Sequence, residues 1–264
     1  MSSVLRSLGG STRDLVADTG ALWRLATAAF TRAFVGPFRG ERVRAQAALT
    51  QAVRAGVDSL PLVALICFLV GMIMALQSAY QLRQLGAMDL VAGLVAVSMT
   101  RELAPLLTAI VVTGRFGSAI AAELGTMRVS QEIDALQVMG LNPVSFLVVP
   151  RVIALIVTVP CLVVFADVIG IVGGQAVAMA ALGLGPDRYV ALTLDSLVLQ
   201  DIYTGLLKAA AFGAIIGLVG CHEGLKTTGG AEEVGRSTTS AVVRSIVLII
   251  AADLFATALF YVRG

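Results

Sequence analysis

Apolar residues in this chain come in long runs rather than in alternation. Residues 59–82 carry no charge at all, bounded by Asp58 and Arg83, and a run near 20 residues is what a helix needs to cross a bilayer. Four further runs follow, at about 90–114, 152–184, 201–220 and 245–261. The pattern predicts an all-α integral membrane protein with five transmembrane helices. The longest water-compatible stretch between two apolar runs is 115–151, where Arg115, Arg128 and Arg151 alternate with Glu123, Glu132 and Asp134. Ser130 is placed to cap a short helix whose first turn carries Glu132 and Asp134, as the helix dipole favours. Gly140 ends that helix, and Asn142-Pro143 prevents its resumption. This predicts a cytoplasmic coupling helix between spans 2 and 3, a handle for a docking protein; the alternative is an ordinary connecting loop.

Ahead of the first span, residues 12–36 combine a wide apolar face (Trp23, Phe30, Phe34) with arginines at its margin (Arg13, Arg24, Arg32). Such a helix lies in the membrane interface. Pro37 breaks it, and 41–57 reads as a second amphipathic helix leading into the bilayer. Residues 1–58 therefore form an N-terminal interfacial region and 59–264 a single membrane domain. Arg6, Arg13, Arg24, Arg32, Arg39, Arg42, Arg44 and Arg54 all precede the first span, which places the N-terminus in the cytoplasm. Five crossings then put the C-terminus outside, with 115–151 and 221–244 inside, where Lys226, Arg236 and Arg244 fit. The polar turn Gly185-Pro186-Asp187-Arg188 and Asp195 fall outside.

Composition agrees. At 58% hydrophobic and 14% charged the chain is too apolar for a soluble domain. The net charge of +2 is small, and the interleaving of the N-terminal arginines with Trp23, Phe30, Phe34 and Phe38 along an apolar surface speaks against nucleic acid as a partner. Cys67, Cys161 and Cys221, odd in number and in or beside apolar runs, suggest packing rather than disulfides or metal. No cleavable signal is expected.

Charge inside the spans is the unusual feature: Arg101 and Glu102 in the second, Asp167 in the third, Lys208 in the fourth, Asp253 in the fifth. Each costs at least about 2.5 kcal/mol at the bilayer centre unless paired or wetted. Adjacent helical residues diverge, so Arg101 and Glu102 need separate partners. Glu102 is expected to meet Lys208, and Arg101 to meet Asp253 or Asp167. The set serves either as a gating network in a cavity or as ion pairs that fix helix register. Met72, Met74, Leu76, Gln77 and Tyr80 at the end of span 1 could line a lipid-sized cavity, since unbranched methionines repack around irregular ligands; plain packing is the alternative. Gly213 and Gly217, and Gly173-Gly174, allow close helix contact within the chain or across a dimer. Catalytic motifs are missing. Gly224-Leu225-Lys226-Thr227 lacks the Gly-Lys adjacency and spacing of a phosphate loop. His222, the sole histidine, has no metal-ligand constellation and reads as a surface or docking residue. The chain is not an enzyme, and any ATP hydrolysis belongs to another chain.

These residues resemble the MlaE (YrbE) family of bacterial lipid-transport permeases. The match is densest through Arg101-Glu102-Leu103, Pro105, Gly114-Arg115, Gly117-Ser118-Ala119, Ala122-Glu123-Leu124-Gly125 and Met127-Arg128. It continues through Glu132, Asp134-Ala135, Met139-Gly140, Pro143 and Val149-Pro150-Arg151. Weaker agreement follows at Gly170, Gly173-Gly174, Lys208, Gly230, Gly235-Arg236, Thr238-Thr239 and Asp253. Ala104 departs from the glycine common in the family's Arg-Glu-Leu-Gly-Pro. The resemblance implies the permease subunit of an ABC transporter in the bacterial inner membrane, a homodimer holding phospholipid at its interface. Its partners would be a cytoplasmic ATPase that carries the ATP and magnesium, a periplasmic MCE-domain protein, and a small STAS-domain protein; no cofactor would be bound by this chain. ATPase coupling would fall to Glu123, Met127, Arg128, Glu132, Asp134, Leu136 and Met139. Against this stand an ion- or proton-coupled carrier that uses the buried charges directly, and a membrane scaffold.

Overall fold

The computed structural model describes residues 18–32 and 45–263. The expected helix ends at 12–17 and 33–36, with Arg13, Phe34 and the break at Pro37, lie outside the described residues, as do 41–44. Helix α1 covers 18–32. Helix α2 follows over Ala45–Gln84, and no strand occurs among the described residues. The described part of the expected amphipathic helix, 45–57, and the first span are thus one helix. Ala48, Ala55, Ser59, Val63 and Cys67 are all buried, and their spacing of seven and then four carries one inward stripe straight through the anticipated boundary.

The second span runs from Leu90 to Val129, past the expected end at Gly114. It is assembled from α3 (Leu90–Ser98), α4 (Ala104–Val112) and α5 (Ser118–Val129), joined by π-helical turns at Met99–Leu103 and Thr113–Gly117. Pro105 explains the first turn. It has no N–H to offer the Arg101 carbonyl, and a wider turn is one way for a helix to absorb that loss. The Arg101 carbonyl instead accepts from Lys208 Nζ at 3.4 Å. In the second turn Arg115 donates to the Asp58 carbonyl of α2, so this arginine ties two spans together instead of ending one.

Helix α6 spans Glu132–Val138, close to expectation, but its start differs. Gln131 supplies the left-handed turn at φ 61. Ser130 bonds the Glu132 carboxylate at 2.9 Å rather than a backbone N–H, so it is not the cap. Gly140 ends the helix at φ 76. Asn142 then does more than block: its Oδ1 accepts from the Val144 amide at 3.0 Å and starts the next helical run. That run is a π-helical turn at Val144–Val148 and α7 at Val149–Ala181. Where a polar loop was anticipated, α8 occupies Pro186–Ser196; Tyr189 is buried under it, and burial pushes its phenol up to about 12. Helices α9 (Leu199–Lys226) and α10 (Ala231–Arg263) complete the chain. Helix α10 begins well before the expected 245 because 231–244 continues the same helix.

Among the described residues, five helical segments are long and apolar enough to cross a membrane. The chain is a multi-pass, all-α membrane protein. Helix α7 is the centre of the bundle, packed against α2 on one side and α9 on the other. Small residues set those distances. A side chain at Gly71 of α2 would collide with the Gly170 backbone of α7, and one at Gly213 of α9 with the Leu155 carbonyl. A side chain at Gly217 would meet Val152 at 3.1 Å, so the Gly213/Gly217 pair serves packing within the chain. Helix α10 leaves Val243, Val247, Ile250, Leu254 and Phe255 exposed.

Contacts sort the connections into two faces. Arg188 of α8 reaches Asp89 at 2.6 Å, so α8 and the 85–89 turn share one face. Asp18 of α1 meets Lys226 at 2.6 Å and Arg32 bonds Ser145 at 3.0 Å, so α1, α6 and the α9–α10 corner share the other.

Candidate functional site

Two α9 residues two turns apart, Asp201 and Lys208, point toward the π-helical turn that carries Arg101 and Glu102. Their approach is possible because Gly205 lies between them; any side chain there would strike the Thr100 carbonyl. Lys208 Nζ stands 2.7 Å from Glu102 Oε2 and 3.0 Å from Asp253 Oδ1. It also donates to Thr257 Oγ1 at 2.7 Å. Thr257 in turn donates to Glu102 Oε1 at 2.9 Å, so one hydroxyl bridges the acid and the base. Arg101 Nε pairs with Asp201, and Asp201 Oδ2 accepts from the Val198 amide at 3.3 Å, capping α9. Three spans thereby converge on one polar cluster.

The cluster is graded from inside to outside. The side chains of Lys208 and Asp201 are 2% and 3% exposed, those of Glu102 and Arg101 38% and 49%. The exposed pair opens into a cavity of about 230 Å³ lined by Arg101, Glu102, Gln200, Thr204, Lys208, Thr257 and Phe260. An uncompensated lysine here would be costly, and removing one partner of a buried pair costs about 3–5 kcal/mol.

The expected Glu102–Lys208 pair is present. The expected partner of Arg101 is not: Asp201 takes it, and Asp253 joins Lys208 instead. Asp167 does not enter the network either. It sits on α7, where one carboxylate oxygen is buried with no hydrogen-bond partner among the described residues. Arg101 lies in the π-helical turn at Met99–Leu103 and meets the N-terminal end of α9 at Asp201. Asp201 and Thr257 were missed because an acid at the edge of an apolar run looks like a boundary and a threonine inside one carries no signal.

Of the residues suggested for a lipid cavity, Met72 and Met74 are half-buried against neighbouring apolar side chains. Leu76, Gln77 and Tyr80 face outward with Ile73. Met72 and Met74 flank that exposed stripe on either side, one turn from Leu76 and Gln77 respectively.

Residues 48–259 match the family model described as Permease MlaE. This chain belongs to the MlaE permease family. A protein of Rickettsia bellii named "probable ABC transporter permease protein" is 38% identical over 98% of both chains. One so named from Rickettsia prowazekii is 43% identical over 78% of this chain and 80% of its own. The chloroplastic protein Trigalactosyldiacylglycerol 1 of Arabidopsis thaliana is 39% identical over 81% of this chain and 61% of its own. MlaE permeases are membrane transport proteins rather than a catalytic family.

On the opposite face of this MlaE-family chain, the segment around α6 is braced by ion pairs. Arg128 meets Asp134 at 2.6 Å, and buried Arg151 meets Glu123 at 2.9 Å. Ile133 and Leu136 are buried, while Val138 and Met139 are 89% and 65% exposed; Met127 packs against the core. Leu136 and Met127 therefore anchor the segment, and Glu132, Asp134 and Met139 present its outer surface.

His222 is not a surface residue. Its side chain is 11% exposed and its Nε2 lies 3.3 Å from Asp18 Oδ1. Asp18 also receives Lys226 and Arg244, and Arg244 reaches Glu223 at 2.6 Å. Burial would raise the Asp18 carboxyl, but hydrogen bonds from Lys226, Arg244 and His222 outweigh it and hold it below the usual carboxylate range. Ligand atoms of Asp18, His222 and Glu223 lie within 4.8 Å of one another. The Arg244 guanidinium bonds both acids, taking the position a cation would fill.

Proposed function

We propose that this chain is the permease subunit of an ATP-driven lipid transporter in a bacterial inner membrane. It works as a homodimer, with its N-terminus in the cytoplasm and its C-terminus in the periplasm. The observation that carries the reading is the polar cavity between Arg101, Glu102 and Thr257: a partly exposed charged pocket set into otherwise apolar, membrane-length helices. An amphiphile fits that combination, with its headgroup among the charges and its chains along the apolar walls. The plant relative's name, which contains a diacylglycerol lipid, supports the same class.

A separate ATPase binds ATP and magnesium and docks on the exposed side of α6, around Glu132, Asp134 and Met139. A periplasmic MCE-domain protein exchanges lipid at the opposite face, and a STAS-domain protein accompanies the ATPase. Helix α1 lies in the cytoplasmic interface, its Trp23 and Phe30 exposed to lipid.

The test is reconstitution of the purified permease in liposomes with and without its ATPase, following lipid movement and bound lipid by mass spectrometry. Lipid movement should require both ATPase and ATP. Full transport by the permease alone, without nucleotide, would overturn this reading in favour of a carrier driven through its own buried charges.

A further inference from the structure

The pocket has little positive charge left to offer, and this bears on which headgroup it takes. Lys208, which charge alone would nominate as the phosphate ligand, is already committed. Its three protons go to Glu102, Thr257 and the Arg101 carbonyl, Asp253 lies beside it as an ion pair at 3.0 Å, and its side chain is 2% exposed. Arg101 uses only Nε on Asp201 among the described residues. Its side chain is 49% exposed, which leaves the fork of terminal N–H groups that suits a phosphate. Glu102 accepts one hydrogen bond at each oxygen, from Lys208 and Thr257. A carboxylate has about four acceptor sites, so Glu102, 38% exposed, keeps capacity for a donor. A cationic donor surface and an anionic acceptor surface thus stand side by side on consecutive residues of one turn.

Counted formally, Arg101 and Lys208 face three carboxylates, Glu102, Asp201 and Asp253. The cluster therefore has no surplus cation for a headgroup of net negative charge. We infer that the pocket selects a zwitterionic phospholipid bearing a primary ammonium, with its phosphate on Arg101 and its ammonium on Glu102. Glu102 also discriminates among zwitterions. A primary ammonium donates directed hydrogen bonds to the carboxylate, whereas a trimethylated one has no N–H to give. The size agrees: about 230 Å³, at the ~30 Å³ that one water occupies in the liquid, holds about eight water-sized groups, about the heavy-atom count of phosphoethanolamine.

This inference rests on the lipid-transport reading, and one experiment separates the two. Full-length permease, with its ATPase, is placed in nanodiscs of equal phosphatidylethanolamine, phosphatidylcholine and phosphatidylglycerol with matched acyl chains. The lipid retained after detergent extraction is quantified by mass spectrometry. Phosphatidylethanolamine should be enriched over both others by about tenfold, the worth of one charge-assisted hydrogen bond. Glu102→Gln should erase the preference over phosphatidylcholine while lipid is still retained. Because that substitution also disturbs Lys208, the wild-type ratio is decisive by itself. Equal retention of the three, or enrichment of phosphatidylglycerol, overturns the headgroup assignment and leaves lipid transport standing. Retention of no lipid overturns both.

Discussion

Lys208 shows how a buried charge is made tolerable, and it makes a sharp prediction. Replacing Lys208 by Met strands Glu102 and Asp253; replacing Glu102 by Gln removes one of the acids that neutralise the lysine. Each single change should destabilise the purified protein more than the double change does. The coupling energy in a double-mutant cycle, read from thermal unfolding in detergent, should be about 1–3 kcal/mol. Strictly additive effects would mean the pair contributes nothing. If the doubly neutral protein still folds and moves lipid, the pair sets helix register; if it folds and transport is lost, the pair belongs to the transport step. Thr257→Val removes the hydroxyl that bridges Glu102 and Lys208, and should cost about 1 kcal/mol in the same assay. The Glu102–Lys208 contact was legible in the sequence because neither charge can be left unpaired in an apolar span. Asp201 was not, since its role depends on a π-helical turn that hydropathy does not encode. The clue lay at Pro105, four residues beyond Arg101, where a missing N–H frees a carbonyl.

At the level of helices, close approach is written in the glycines and phase in the prolines. Gly205→Ala should push α9 away from the Thr100 carbonyl and cost about 1–3 kcal/mol, as overpacking does. Its signature is a weaker Arg101–Asp201 contact, read as a smaller coupling energy between Arg101→Ala and Asp201→Ala in the Gly205→Ala background than in the wild type. Gly20→Ala, which meets open space, is the control and should be neutral or slightly stabilising. The five spans were legible from hydropathy. Their ends were not, because α5 and the start of α10 are held by packing and ion pairs that composition alone reads as loop. Attachment of α1 depends on Asp18, whose folded carboxyl lies below its ordinary value. That stabilisation is complete above the ordinary carboxylate pKa of about 3.9 and is lost as pH falls below it. Single cysteines at 25 and 29 should stay protected from a water-soluble thiol reagent at neutral pH. They should become reactive in Asp18→Asn, while Trp23→Cys should label alike in both. Protection unchanged by Asp18→Asn would show that α1 is held by its apolar face alone.

For the molecule as a whole, the two faces divide the work: one carries α8 and the 85–89 turn, the other α1, α6 and the α9–α10 corner. Charge reversal at Arg128, whose partner is Asp134 at 2.6 Å, should weaken co-purification of the ATPase or uncouple its hydrolysis from lipid movement by tenfold or so. Lipid binding at Arg101 should be unchanged. Loss of both together would mean that the variant fails to fold and that the site is not specific to docking.

The contacts of α1 have a mechanical meaning. The helix is pinned near one end to the α9–α10 corner through Asp18, and at the other to the entry of α7 through Arg32 and Ser145. Its 15 described residues make a rod about 22 Å long. Two corners that rest on different spans are thus braced by a single strut. If a push were delivered at the α6–α7 corner, that strut would offer it a route to α9, whose far half bears Lys208 and Asp201. Cutting either pin, by Asp18→Asn or by Arg32→Ala, leaves both corners standing but takes away the stiffness between them.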